Sequence, residues 1–166
     1  MRVVEEEFRY DHPPSAVFDL VGSGRFQVEL LAELGGQDPE VLEESHTPSG
    51  GLLVVTRLRT GVEFPGFARK IVPPDTAVTH TYEWGPPLAD GTVAGTWSTE
   101  IKGAPLLIGG TTAIRPEGDG AVHLYKGQIK ASVPVIGGRL EVFALDNLRR
   151  DLAHSARFIA DRLDVG

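Results

Sequence analysis

The sequence contains no cysteine, which excludes disulfides, thiolate nucleophiles and every zinc or iron–sulfur site built on sulfur. It has no apolar run approaching the ~18 residues of a membrane span. Its opening, Met1-Arg2-Val3-Val4-Glu5-Glu6-Glu7, is acidic where a secretory leader would be basic and then apolar. Clustered positive charge is also missing. Lys and Arg number 16 against 23 Asp and Glu, a net charge of −7. The nearest basic groupings, Arg57 with Arg59, Arg69-Lys70, and Lys126 with Lys130, read as solvated sheet faces rather than a phosphate-binding patch. These absences predict a soluble cytoplasmic protein with no nucleic-acid partner and no stable membrane insertion.

The usual catalytic signatures are absent too. There is no His-Glu-x-x-His, no glycine-rich phosphate loop ending in Lys-Ser or Lys-Thr, and no Gly-x-Ser-x-Gly. The histidines, His12, His46, His80, His123 and His154, show no metal-ligand spacing. We expect no metal and no cofactor.

What is present fits one domain spanning 1–166, since 166 residues at 41% hydrophobic can bury a real core but leave no room for a second. Residues 2–10 alternate, with Val4, Phe8 and Tyr10 opposite Glu5, Glu7 and Arg9. Pro13-Pro14-Ser15 starts a short helix over 16–21, Gly22-Ser23-Gly24 breaks it, and a second helix over 25–34 ends at Gly35-Gly36. Seven β-rich runs follow, at 40–47, 51–60, 68–72, 76–84, 92–101, 109–115 and 121–133. Turn chemistry such as Pro48-Ser49-Gly50, Pro73-Pro74-Asp75 and Gly118-Asp119-Gly120 separates them. Short connections mean antiparallel neighbours.

The chain ends in an amphipathic helix whose stripe is Leu145, Leu148, Leu152, Ala156, Ile159 and Leu163. Roughly 25 helical residues at ~1.5 Å each span nearly 40 Å, enough to cross a small domain, so the stripe belongs on the concave face of a broad sheet. A long helix held across a curved sheet leaves a pocket between them.

Alternation sets the inward face. It places Val78, His80, Tyr82 and Trp84 inward on one run, Val93, Gly95, Trp97, Thr99 and Ile101 on the next, and His123, Tyr125, Ile129 and Ala131 on the last. Aromatic side chains with polar tips cluster there, as in an apolar pocket with a few orienting groups. Each is equally an ordinary core filler, and an inward His is commonly a hydrogen-bonded structural residue. Glu141 precedes Leu145 on the same stripe. It is either a buried acid with raised pKa or, as the third residue after a Gly138 cap, an acceptor of helix N–H bonds; the second reading is the simpler. Glu6 shares the ambiguity on the first strand, near a sheet edge. Asn147 and Ser155 flank the stripe as hydrogen-bonding groups.

The order strand, two helices, six or seven strands, long helix resembles the START-like helix-grip superfamily (SRPBCC). The likeness rests on Trp97, Gly103-Ala104-Pro105, Gly109-Gly110, the Gly118-Asp119-Gly120 turn, and Val133-Pro134-Val135-Ile136-Gly137-Gly138-Arg139-Leu140-Glu141. Within it the chain looks like a bacterial branch of unknown function. The resemblance implies an α+β helix-grip fold: a curved antiparallel sheet of about six to seven strands around a long C-terminal helix, with two short helices after the first strand. It also implies a lipid, polyketide-like or isoprenoid ligand. The ligand-binding set expected is His80, Tyr82, Trp84, Trp97, Thr99, His123, Tyr125, Glu141, Leu145 and Leu148. Two alternatives stay open. One is a cyclase or dehydratase using His80, His123, Tyr82, Tyr125 or Glu141 as acid and base; the other is a co-chaperone-like interaction module whose interior is filled. A monomer and a homodimer are equally compatible with the sequence.

Overall fold

The structure is a computed structural model and describes residues 1–60, 63–73 and 75–166. Seven strands form one antiparallel sheet: β1 (Arg2–Tyr10), β2 (Gln37–His46), β3 (Leu52–Arg59), β4 (Ala77–Trp84), β5 (Val93–Ile101), β6 (Leu106–Glu117) and β7 (Gly120–Ala131). Their order across the sheet is β1-β7-β6-β5-β4-β3-β2. Consecutive strands from β2 to β7 are neighbours, and β1 closes the far side against β7, so the first and last strands meet. Two short helices, α1 (Pro14–Val21) and α2 (Gly24–Glu33), carry the chain from the β1 edge to the β2 edge. The last element, α3 (Gly137–Val165, 29 residues), lies in the concave face. This is the α+β helix grip.

Local chemistry accounts for the joints. Pro14 occupies the first turn of α1, where its missing N–H costs nothing. The Ser23 hydroxyl accepts the Phe26 N–H at 3.3 Å to cap α2. The edge strand β2 is exposed along most of its length, irregular in register at two places, and rich in acid, which guards an open edge. Among the described residues no helix is long and apolar enough to cross a membrane.

Three readings change. Residues 68–72 form no strand: Gly66–Ala68 is a 3-10 turn, and the Ile71 and Val72 amides both donate to the Ala68 carbonyl, at 2.9 and 2.8 Å. β3 and β4 pair directly with each other up to Arg59 and Ala77, which leaves no place for a strand between them, and the connecting segment curls inward, burying Ala68 and Val72. Arg69-Lys70 therefore lie beyond a turn, not on a strand face. Pro74, at the centre of the expected Pro-Pro-Asp turn, lies outside the described residues. The helix α3 starts at Gly137 with Ile136 as its cap residue, which moves Glu141 away from the capping position. Of the remaining basic groupings, Arg57 pairs with Glu40, Arg59 with Asp38 and Asp75, and Lys126 with Glu5, all at the surface.

Candidate functional site: a cavity under the long helix

Inward side chains from neighbouring strands stand in rows across the sheet, set by register. One row runs Val54, Tyr82, Trp97, Gly110, Gly127 and Val4; the next runs Thr56, His80, Thr99, Ile108 and Ile129. Between these rows and α3 lies a cavity of about 370 Å3. Its sheet wall carries Leu58, Val78, His80, Tyr82, Trp97, Thr99, Ile101, Ile108 and Tyr125; α3 supplies Phe143, Ala144, Asn147, Leu148, Asp151, Leu152 and Ser155; α2 closes a side with Gln27, Leu30 and Leu31, together with Leu34 at its C-terminal cap.

The polar groups in this wall are few and mostly engaged. His80 Nδ1 and Thr99 Oγ1 share a hydrogen bond of 2.9 Å. Burial pushes the His80 imidazole down to about 4, so it is neutral at neutral pH. Burial also raises Tyr82, opposed by a hydrogen bond with the Tyr125 hydroxyl, and raises Tyr125 well above its usual value. Both phenols therefore stay protonated. Trp97 Nε1 donates to the Thr111 carbonyl at 3.0 Å, fixing the ring edge-on to Tyr125 at 6.2 Å. On α3, Asn147 donates to the Phe143 carbonyl at 2.9 Å, and desolvation raises the Asp151 carboxyl.

Of the residues anticipated, His80, Tyr82, Trp97, Thr99, Tyr125 and Leu148 line this cavity, and Trp84, His123, Glu141 and Leu145 do not. Trp84 and His123 point inward but sit toward the end that α1 and α2 plug. There Trp84 packs edge-on against Phe18 at 5.3 Å and joins Val17, Val21, Phe26 and Leu30 in solid core. His123 Nε2 meets Thr112 Oγ1 at 3.1 Å, and that hydroxyl spends its proton on the Leu124 carbonyl at 2.9 Å. The bond therefore needs the proton on Nε2, leaving His123 Nδ1 as a buried acceptor. Nδ1, Trp84 Nε1 and Tyr10 Oη have no hydrogen-bond partner among the described residues.

Leu145 lies about 60° around α3 from Leu148, on the flank away from Asp151, and packs beside the cluster of Val4, Ile129 and Leu152. Glu141 is 5% exposed at the joint between β7 and α3. Its carboxylate accepts the Met1 ammonium at 2.8 Å and the Ala131 N–H at 2.9 Å, with Arg2 at 4.0 Å. These partners hold its pKa below the usual value, so it is neither a raised acid nor a helix cap. Glu6 pairs with Arg149 at 3.3 Å, its side chain 30% exposed.

Asp151, Gln27, Leu30, Leu31 and Leu34 were not anticipated as lining. The α2 residues carry a signal, since Gln27, Leu30, Leu31 and Leu34 recur at helical spacing, but that pattern marks a buried face without saying whether the face meets a void. Among the described residues no group of three or more His, Asp or Glu side chains is placed to hold a metal.

Comparison with solved structures gives the same architecture. The crystal structure of TTHA0849 from Thermus thermophilus aligns over 99% of this chain and 98% of its own at TM-score 0.64 and 15% identity. The Zhui aromatase/cyclase from a Streptomyces species aligns over 98% and 93% at TM-score 0.63 and 12% identity. A STAR-related lipid transfer protein fragment from Xanthomonas axonopodis aligns over 93% and 86% at TM-score 0.55 and 13% identity. At these identities the likeness establishes the START-like helix-grip fold. No curated protein sequence matches the chain. A family profile does match, over residues 5–163, and on that near-complete match the chain belongs to the family described as "Protein of unknown function (DUF2505)".

Proposed function

We propose that this chain binds an apolar or amphipathic small molecule, of lipid, polyketide-like or isoprenoid type, between the sheet and α3. The observation that carries the reading is the space itself. Protein interiors normally pack as densely as organic crystals, yet about 370 Å3 stays open here, walled by aromatic and aliphatic side chains with spaced polar groups. Ligand pockets have that composition and run from about 300 to 1,000 Å3. The fold relatives named as an aromatase/cyclase and a lipid transfer protein are in keeping with an apolar guest.

A cyclase or dehydratase is the second reading, favoured by the convergence of His80, Tyr82, Tyr125 and Asp151 on one cavity. Proton transfer works best with pKa values near the working pH. A His80 pushed to about 4 and phenols pushed upward suit hydrogen bonding better than acid–base exchange. An interaction module with a filled interior fits the open cavity poorly.

Native mass spectrometry of the purified protein, followed by denaturing extraction, tests the proposal. The expected result is a reproducible co-purifying apolar mass that Ala144→Phe, which fills the cavity, diminishes. An unliganded mass, with no uptake of apolar probes by the unmodified chain, would count against it.

A further inference from the structure

We infer that the cavity selects an uncharged ligand bearing a hydroxyl or carbonyl oxygen and turns away carboxylates and phosphates; this rests on the ligand-binding reading above. The argument is one of charge. None of the described residues lining the cavity is Lys or Arg. An anionic head group drawn inside would give up its hydration with no cation to receive it, and an unpaired buried charge is among the costliest burdens a protein interior carries.

The cations nearby are committed elsewhere. Arg150 is exposed, is not a lining residue, and donates to Asn147 Oδ1 at 2.9 Å. His154 faces Glu33 at 3.3 Å, and Arg149 faces Glu6. His80 does line the cavity, but burial keeps it neutral down to about pH 4.

The acidic group among the described lining residues is Asp151, an exposed residue of α3. It forms no ion pair among the described residues. Desolvation raises its pKa, while Arg150 and His154 pull it back. At this exposed position its charge adds a solvent-screened repulsion to the missing attraction. The remaining polar lining groups, notably Tyr82, Tyr125 and Thr99, carry hydroxyls that donate and accept hydrogen bonds without charge. Such groups complement an alcohol or ketone oxygen.

Matched probes that differ only in head group test this on the full chain: 1-decanol against decanoate, and 2-naphthol against 2-naphthoate, titrated calorimetrically near pH 7.5. The neutral member of each pair is expected to bind at least about tenfold more tightly. Asp151→Asn, checked for folding by thermal melting, is expected to narrow that gap by roughly threefold. A carboxylate that binds as well as its alcohol overturns the charge selection and leaves ligand binding standing. An unchanged gap in Asp151→Asn overturns the role given to Asp151. Failure of all four probes to bind overturns the ligand-binding reading, and this inference with it.

Discussion

The Trp97 ring lies across the bare α-carbon of Gly127: a β-carbon added there would meet Trp97 Cζ2 at 2.6 Å and the Gly109 carbonyl oxygen at 2.7 Å. Gly110, the next residue in the same row, has no room for a side chain either, because its β-carbon position is taken by the Lys126 carbonyl. Two glycines side by side on the inner face thus give an indole space to lie on the sheet and form one wall of the cavity. Gly127→Ala forces the ring or the strand to shift, and we expect a loss of about 1–3 kcal/mol in urea denaturation. Altered tryptophan emission should accompany it. An unchanged spectrum would show that the ring does not rest there.

The two tryptophans make different contributions. Trp84 is 2% exposed and enclosed by α1, α2 and neighbouring rings, whereas Trp97 is 5% exposed but has one face on open space. Trp84→Ala should cost about 3–5 kcal/mol, as in solid core. Trp97→Ala should cost less and change probe uptake more. Equal losses with unaltered uptake would place both in plain packing.

Stability should fall with acid through His123. Its folded pKa is driven down to about 3 by burial, below the ~6.5 of an unfolded histidine, so the unfolded chain binds the extra proton between those values. The stability present above about pH 6.5 is therefore lost as pH falls toward 3. We expect any advantage of the unmodified protein over His123→Gln at pH 7 to shrink by up to about 3 kcal/mol by pH 4. A constant gap in chemical denaturation across that range would refute a buried neutral imidazole.

Glu141 acts in the same direction for a different reason. The Met1 ammonium, the Ala131 N–H and Arg2 favour its carboxylate, so its folded pKa is depressed. The stability it adds is present above the unfolded carboxyl pKa and disappears as pH falls through the folded one. Glu141→Gln should melt lower than the unmodified protein at pH 7, and the two curves should converge in acid. Ligand uptake at pH 7 should persist in this variant, because the carboxylate lies at the β7–α3 joint outside the cavity.

Much of this architecture is legible in the sequence because it is written in local rules. Period-two alternation placed His80, Tyr82, Trp84, Trp97 and Tyr125 on the inner face, since one-residue register slips would put charge inside. Turn residues and a serine cap marked the joints. A local rule also misled: the apolar spacing of 68–72 looks strand-like, but β3 and β4 pair directly with each other, and the segment joining them closes into a turn.

The sequence by itself determined the order of elements apart from the run at 68–72, the inner faces of β1, β4, β5 and β7, and the lack of cysteine and of the usual catalytic motifs. Only the tertiary structure decided which inner residues border a void. Trp84 and His123 share a face with Tyr82 and Tyr125, yet α1 and α2 plug the end where the first pair sits, and alternation along a strand carries no information about what a distant helix covers. It also fixed the rotation of α3, which turns Asp151 toward the cavity and Leu145 to its flank, and brought Glu141 to the Ala131 amide ten residues away. These are long-range packing outcomes, set by how a helix seats against a curved sheet rather than by any spacing along the chain.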